Sequence, residues 1–264
     1  MQLGFWRLPN DINYAGILIR ITPDGAMEEV SLKDIRHSVS TLPKMIESGP
    51  HPWREADKRS EAITDIAFAD GRLYVAGLSN EEFASCLRVL DFPFSDEPGA
   101  FCTIEVFHVA HGKSETEAPI RTLLPYDING VPHILASYTC TPFVSIPVSE
   151  LQTGRHVKSK TLGEFGFGNM PIDMVGFEKN GKSLLLMSSN SKALIRIDPE
   201  DIPRQKEGLV QPLEKGAYTA GLPHYVWSVV GVTQLDNLNK DNLMALQRMP
   251  NGALDLRALS VKWF

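Results

Sequence analysis

Three stretches decide the reading: Gly71-Arg-Leu-Tyr-Val-Ala-Gly-Leu-Ser-Asn80, Gly130-Val-Pro-His-Ile-Leu-Ala-Ser-Tyr-Thr139 and Gly181-Lys-Ser-Leu-Leu-Leu-Met-Ser-Ser-Asn190. They align without gaps from a glycine that follows Asp70, Asn129 or Asn180. Asp-Gly and Asn-Gly pairs accept φ > 0 at both central positions of a two-residue turn, the twist that a β-hairpin needs. A short apolar strand precedes each turn, at residues 63–68, 120–126 and 172–177. After each aligned stretch come a polar loop and a third strand, at 86–92, 142–148 and 193–197, with a weaker fourth strand at 103–109 and 158–165. Strand, tight turn, strand, loop, strand, strand is the unit of a β-propeller blade, and its recurrence is a repeat signature.

The pattern extends to both ends. Residues 229–235, 242–248 and 253–261 read as three strands without the turn glycine. Leu18-Ile-Arg-Ile-Thr-Pro-Asp24 resembles Leu194-Ile-Arg-Ile-Asp-Pro-Glu200, which places it as a third strand, with 26–32 as a fourth. The expectation is one all-β propeller domain of about five blades, at roughly 1–32, 61–110, 118–165, 170–220 and 226–264. The first and last blades overlap in strand position rather than completing each other. This predicts either a piece of a larger propeller or a five-bladed ring with one irregular blade. Residues 36–59, polar and rich in proline, read as an insertion between blades.

Composition limits the partners. The chain has 264 residues, 43% of them apolar, and a formal charge of −6. That balance argues against a nucleic-acid partner, which calls for a basic face. No apolar run reaches the length of a membrane span. Met1 to Arg7 lacks a basic leader followed by an apolar run, so the protein reads as cytoplasmic unless a leader lies upstream. The three cysteines, Cys86, Cys102 and Cys140, form no CxxC pair. Their odd number suits buried thiols, with one disulfide plus a free thiol as the alternative.

Candidate site residues come from the loops that a propeller gathers around its channel mouth. They are Asn80 and Glu81 after the first hairpin, Cys140 after the second, Asn190 after the third, and His111, Glu117 and Asn169 between blades. Ordinary turn chemistry accounts equally well for Asn and Ser at such positions. Glu81, Glu82, Glu115 and Glu117 together would suit Ca²⁺, although no DxDxDG run is present. His108 and His111 have HxxH spacing, which places them on opposite sides of a continuous strand. If Gly112 ends the strand, both can turn inward, and with His37 or Cys140 they would suit copper or zinc. Asp65 and Asp173 occupy equivalent first-strand positions and read as structural hydrogen-bonding groups. GxSxG, P-loop, GxGxxG, HExxH and CxxCH signatures are absent. Gly163-Glu-Phe-Gly-Phe-Gly168 reads as a tight turn between blades.

Ala62-Ile-Thr-Asp-Ile-Ala-Phe68, Val75-Ala-Gly-Leu-Ser-Asn-Glu-Glu-Phe-Ala84, Ala118-Pro-Ile-Arg-Thr122, Tyr138-Thr-Cys-Thr-Pro142 with Ile146-Pro-Val-Ser-Glu-Leu151, and Pro171-Ile-Asp-Met174 resemble an uncharacterised group of bacterial propeller-like proteins. The resemblance runs from about residue 17 onward, and Met1 to Ala15 depart from it. It implies a propeller, upstream blades and a periplasmic or secreted location, but no activity. Two functions follow as expectations. One is a non-catalytic scaffold that presents a loop-face site to a protein or small-molecule ligand. The other is a metal-dependent propeller enzyme, either a lactonase-like hydrolase or an oxidoreductase, with Ca, Cu or Zn at the channel mouth.

Overall fold

The structure is a computed structural model that describes residues 18–51, 55–95 and 99–264. Expectations that concern residues 1–17 fall outside the described residues. The chain forms two units, residues 1–39 and 40–264.

In the first unit, β1 (Leu18–Ile21) pairs antiparallel with β2 (Met27–Val30). Gly25, at φ 86°, closes the turn, and Arg20 pairs with Glu28 across the strands. Both expected strands are present here, in shorter form.

The second unit is built from antiparallel strands throughout, apart from one parallel pairing. Its first sheet runs β3 (Asp65–Ala69), β4 (Arg72–Leu78), β5 (Ser85–Asp91) and β6 (Ala100–His108), with β7 (Lys113–Glu115) folded back on β6. The next sheet starts with β8 (Ile120–Ile128), β9 (Val131–Tyr138) and β10 (Pro142–Pro147). The chain then leaves it briefly: β11 (His156–Lys158) adds in parallel to the outer edge of β6 before β12 (Lys160–Glu164) returns to β10. The third sheet holds β13 (Pro171–Lys179), β14 (Lys182–Ser189) and β15 (Leu194–Ile197). β16 (Ala220–Gly221) goes back to β12, and β17 (His224–Trp227) completes the third sheet beside β15. β18 (Val232–Asn239), β19 (Asn242–Arg248) and β20 (Leu254–Ser260) form the last sheet. Helical structure among the described residues is limited to short 3-10 turns, such as Lys58–Glu61, where the Asp57 side chain accepts from the Arg59 amide.

The three aligned hairpins form as their turn residues dictate. Asp70-Gly71, Asn129-Gly130 and Asn180-Gly181 all have positive φ, at 50° and 72°, 54° and 81°, and 53° and 75°. A β-branched residue at either position would be strained, which is why the short polar residue and glycine recur.

The first strands of successive sheets adjoin: β3 beside β8, β8 beside β13, β13 beside β18. Apolar side chains fill the spaces between sheets. Leu87, Ile104, Ile134 and Val144 meet between the first and second; Leu135, Phe143, Leu185 and Ile195 between the second and third; Leu186, Leu243 and Phe264 between the third and last. The middle strands are therefore apolar on both faces. Tyr74 to Leu78 and Leu184 to Met187 are buried without alternation, as expected for a sheet covered on both sides.

Two carboxylates tie these sheets together. Asp65 Oδ2 accepts from the Leu123 amide of the neighbouring sheet at 2.7 Å, and Asp173 Oδ2 accepts from the Leu235 amide at 2.6 Å. The two aspartates thus serve one structural purpose at equivalent places, as their sequence positions imply. Burial pushes Asp65 up to about 6 and Asp173 to about 7, against the pull of the amide hydrogen bonds.

All three cysteines are free. Cys102 pairs with Leu87 across β5 and β6, whereas Cys86 pairs with Thr103, so the two side chains point to opposite faces of the sheet. Burial raises Cys86 to about 11 and Cys102 to about 12, which keeps both as inert thiols.

The stretch 36–59 holds no strand among its described residues, only isolated bridges from Met45 to Ser79 and from Pro50 to Asp57. Its second-unit part is anchored by Arg88, which is fully buried. The guanidinium donates to the carbonyls of Pro43, Lys44, Ala62 and Leu78 at 2.8 to 3.3 Å. Removing it strands several buried acceptors, each costing about 1–3 kcal/mol. Arg88→Met should therefore destabilise the protein by roughly 3 kcal/mol or more, measured by denaturant unfolding.

The raised aspartates also set a pH dependence. In the unfolded chain each titrates near its ordinary value of 3.8; in the folded chain each holds its proton to higher pH. Their contribution to stability is complete below the unfolded value and is lost as pH rises through the folded values. The melting temperature of metal-free protein should fall by several degrees from about pH 5 to about pH 8, and Asp65→Asn/Asp173→Asn should flatten that decline.

Candidate metal centre

Strand β6 ends at His108, and a turn through Val109 and Ala110 follows. The His108 carbonyl accepts from both the His111 and Gly112 amides, at 3.1 and 2.8 Å, and Gly112 has φ 65°. The strand thus stops where the glycine requires. Two side chains that a continuous strand would send apart now lie together, with ring centroids 3.7 Å apart.

β7 returns the chain along β6 and brings Glu115 beneath both rings. Glu115 Oε2 accepts from His108 Nδ1 at 2.9 Å, and Oε1 from His111 Nδ1 at 2.7 Å. Burial works to raise the Glu115 carboxyl, but the hydrogen bonds from His108 and His111 outweigh it and hold it below the usual range. An ionised carboxylate only accepts, so Nδ1 is the donor on both rings, which leaves Nε2 as the nitrogen available to a metal. Burial also lowers His108 below the ordinary imidazole value, which favours the neutral ring that ligates metals. This is the carboxylate–histidine arrangement that orients imidazoles toward a metal.

The third ligand comes from the next sheet. Cys140 sits in the turn between β9 and β10, and both it and Thr141 have positive φ, at 68° and 63°. Two successive non-glycine residues in the left-handed region are costly and persist only where neighbours hold them. Here the holding groups are visible. The Cys140 amide donates to the Asn169 carbonyl at 2.6 Å, and buried Thr141 donates its hydroxyl to the Gly166 carbonyl while accepting from the Phe165 amide, both at 3.1 Å. The Gly168 amide donates to Cys140 Sγ at 3.3 Å.

Ligand atoms of His108, His111 and Cys140 all lie within 4.8 Å of one another. Ligands on tetrahedral zinc stand roughly 3.3–3.6 Å apart, from bond lengths of about 2.0–2.3 Å. Two imidazoles and a thiolate select zinc or copper over calcium or magnesium.

Other candidate residues lie elsewhere. Glu81 pairs with Lys44, Glu117 is exposed, and neither joins the cluster. Glu115 serves the histidines, so the expected calcium cluster of Glu81, Glu82, Glu115 and Glu117 does not form among the described residues. The Asn80 amide donates to the Lys44 carbonyl. Asn169 and Asn190 satisfy turn backbones: Asn169 Oδ1 accepts from Ser191, and Asn190 Oδ1 from the Met170 amide. His37 belongs to the first unit, where its Nδ1 meets the Ile35 carbonyl. The sequence reading missed Glu164, at the end of β12, whose buried carboxylate faces His108. Its only local signal was the glycine-rich run around it, which reads equally as a turn.

No protein-family model matches the chain, and neither does any curated protein. Its functional reading rests on this geometry.

Glu115 pairs with both histidines and, beyond them, with the exposed Lys113, so its loss should be felt at the metal and little in the fold. Glu115→Ala should weaken zinc binding by about 10–100-fold in competition with a chromophoric chelator, with an unchanged far-ultraviolet spectrum.

Proposed function

We propose that this chain is a β-propeller-type protein that binds zinc(II) through His108, His111 and Cys140 and presents the loop face around that ion to a protein or small-molecule partner. The observation that carries this is the convergence of the three ligand atoms within 4.8 Å from two different sheets. Glu115 has already oriented both imidazoles, and the buried His108 Nε2 has no hydrogen-bond partner. A buried polar atom without a partner is expensive, and a metal ligand is the natural explanation for one.

The propeller reading is supported by the recurring hairpin units, by first strands that adjoin in sequence order, and by the aspartate ties between sheets. The likeness to bacterial propeller-like proteins would add a periplasmic or secreted location. A scaffold role is preferred over turnover because the sequence carries no GxSxG, P-loop, GxGxxG or HExxH signature. No helix among the described residues is long and apolar enough to cross a membrane.

The test is metal analysis of the purified chain after loading with zinc or cobalt. One ion per chain is expected. The cobalt form should show a thiolate-to-metal charge-transfer band that Cys140→Ser abolishes, and His108→Ala should weaken retention by tenfold or more. Substoichiometric loading with no thiolate band would overturn the reading.

A further inference from the structure

We infer that Glu164 is the fourth ligand of this centre, so that the ion is closed off from solvent and locks the first sheet of the second unit to the one that follows. This deepens the metal reading above and rests on it, but a separate observation carries it. Glu164 is fully buried; the Val109 and Ala110 amides lie near its carboxyl, but neither oxygen makes a hydrogen bond of good geometry. Oε1 lies 3.8 Å from His108 Nε2, which is also buried and unpartnered. Two buried polar atoms thus face each other across a gap too long for a hydrogen bond. Glu164 stands just outside the set of ligand atoms within 4.8 Å of one another, so its side chain must swing inward to ligate; the gap to His108 suits a shared ion, because nitrogen and oxygen ligands on tetrahedral zinc stand roughly 3.3 Å apart.

The backbone leaves Glu164 little choice of direction. It is paired on one side with Pro142 of β10 and on the other with Ala220 of β16, so its Cβ is set by two ladders. Cys140 stands two residues before Pro142, in the turn that leads into β10. The donor set also balances in charge. Two neutral imidazoles, a thiolate and a carboxylate neutralise a dication without any ligand from solvent. His108 and His111 stand on β6 and its turn; Cys140 and Glu164 stand on the next sheet. An ion held by all four is a cross-brace between sheets at the loop face, a structural centre in the sense that protein fills every position.

The experiment uses the full chain loaded with cobalt(II) and titrated with azide. The wild-type visible spectrum should not move, because no position is open. Glu164→Gln should keep the thiolate band, bind cobalt at least tenfold more weakly and respond to azide at the vacated position. Glu164→Asp serves as the second variant should the glutamine form fold poorly, with the same expected direction. Zinc should raise the melting temperature of the wild type more than that of either variant. A wild-type spectrum that shifts with azide would overturn the proposal and point instead to an open, water-binding centre suited to hydrolysis. Equal cobalt affinity in Glu164→Gln and wild type would also overturn it. Absence of any thiolate band in the wild type would remove the metal reading as well, so the two failures are distinguishable.

Discussion

The unpaired edge of each first strand poses the problem that this structure must solve. β3, β8, β13 and β18 each pair on one side only, so backbone amides on the other side have no ladder partner. Buried amides cannot be left that way. Asp65 and Asp173 answer it by reaching from one sheet to the amides of Leu123 and Leu235 in the next. Each bond satisfies a donor and also sets the height of one sheet against its neighbour. The apolar layers between the sheets then pack against a fixed register rather than a sliding one, in keeping with close-packed protein interiors.

The proposed metal centre depends on that register. His108 and His111 belong to one sheet, and Cys140 and Glu164 to the next. A shift of one residue between sheets would move the thiol and the carboxylate away from the imidazoles. The strain in the Cys140–Thr141 turn is tolerated for the same reason. Hydrogen bonds from Asn169, Gly166 and Phe165 hold it, and those residues lie on the loop that joins β12 to β13. Stability of the scaffold and geometry of the site are therefore coupled through the same loops.

Part of this was legible along the chain. The Asp-Gly and Asn-Gly turns mark the hairpins because only short polar residues and glycine accept the required φ. The repeated apolar strands follow from burial on both sheet faces. His108, His111 and Cys140 were visible as candidate ligands because Gly112 offered a way to end the strand between the histidines and the rest. Asp65 and Asp173 were visible through their equivalent positions. What failed was the reading of carboxylates. Glu81, Glu82, Glu115 and Glu117 looked like one acidic group because they fall in loops of similar kind, yet Glu81 turns to Lys44 and Glu115 to the histidines. Sequence distance carries no information on which loop faces which.

By itself, then, the order of residues determined the hairpin turns, the all-β character and the candidacy of His108, His111 and Cys140, since each depends on local backbone preference or on side-chain chemistry. Only the tertiary structure decided that Glu115 orients the rings and that Glu164 confronts His108. Both relations are made across strands, the second across two sheets, and no local pattern encodes a contact whose partners are 56 residues apart. The difference is physical: φ preferences act within a turn, whereas the meeting of two side chains from different sheets depends on every layer packed between them.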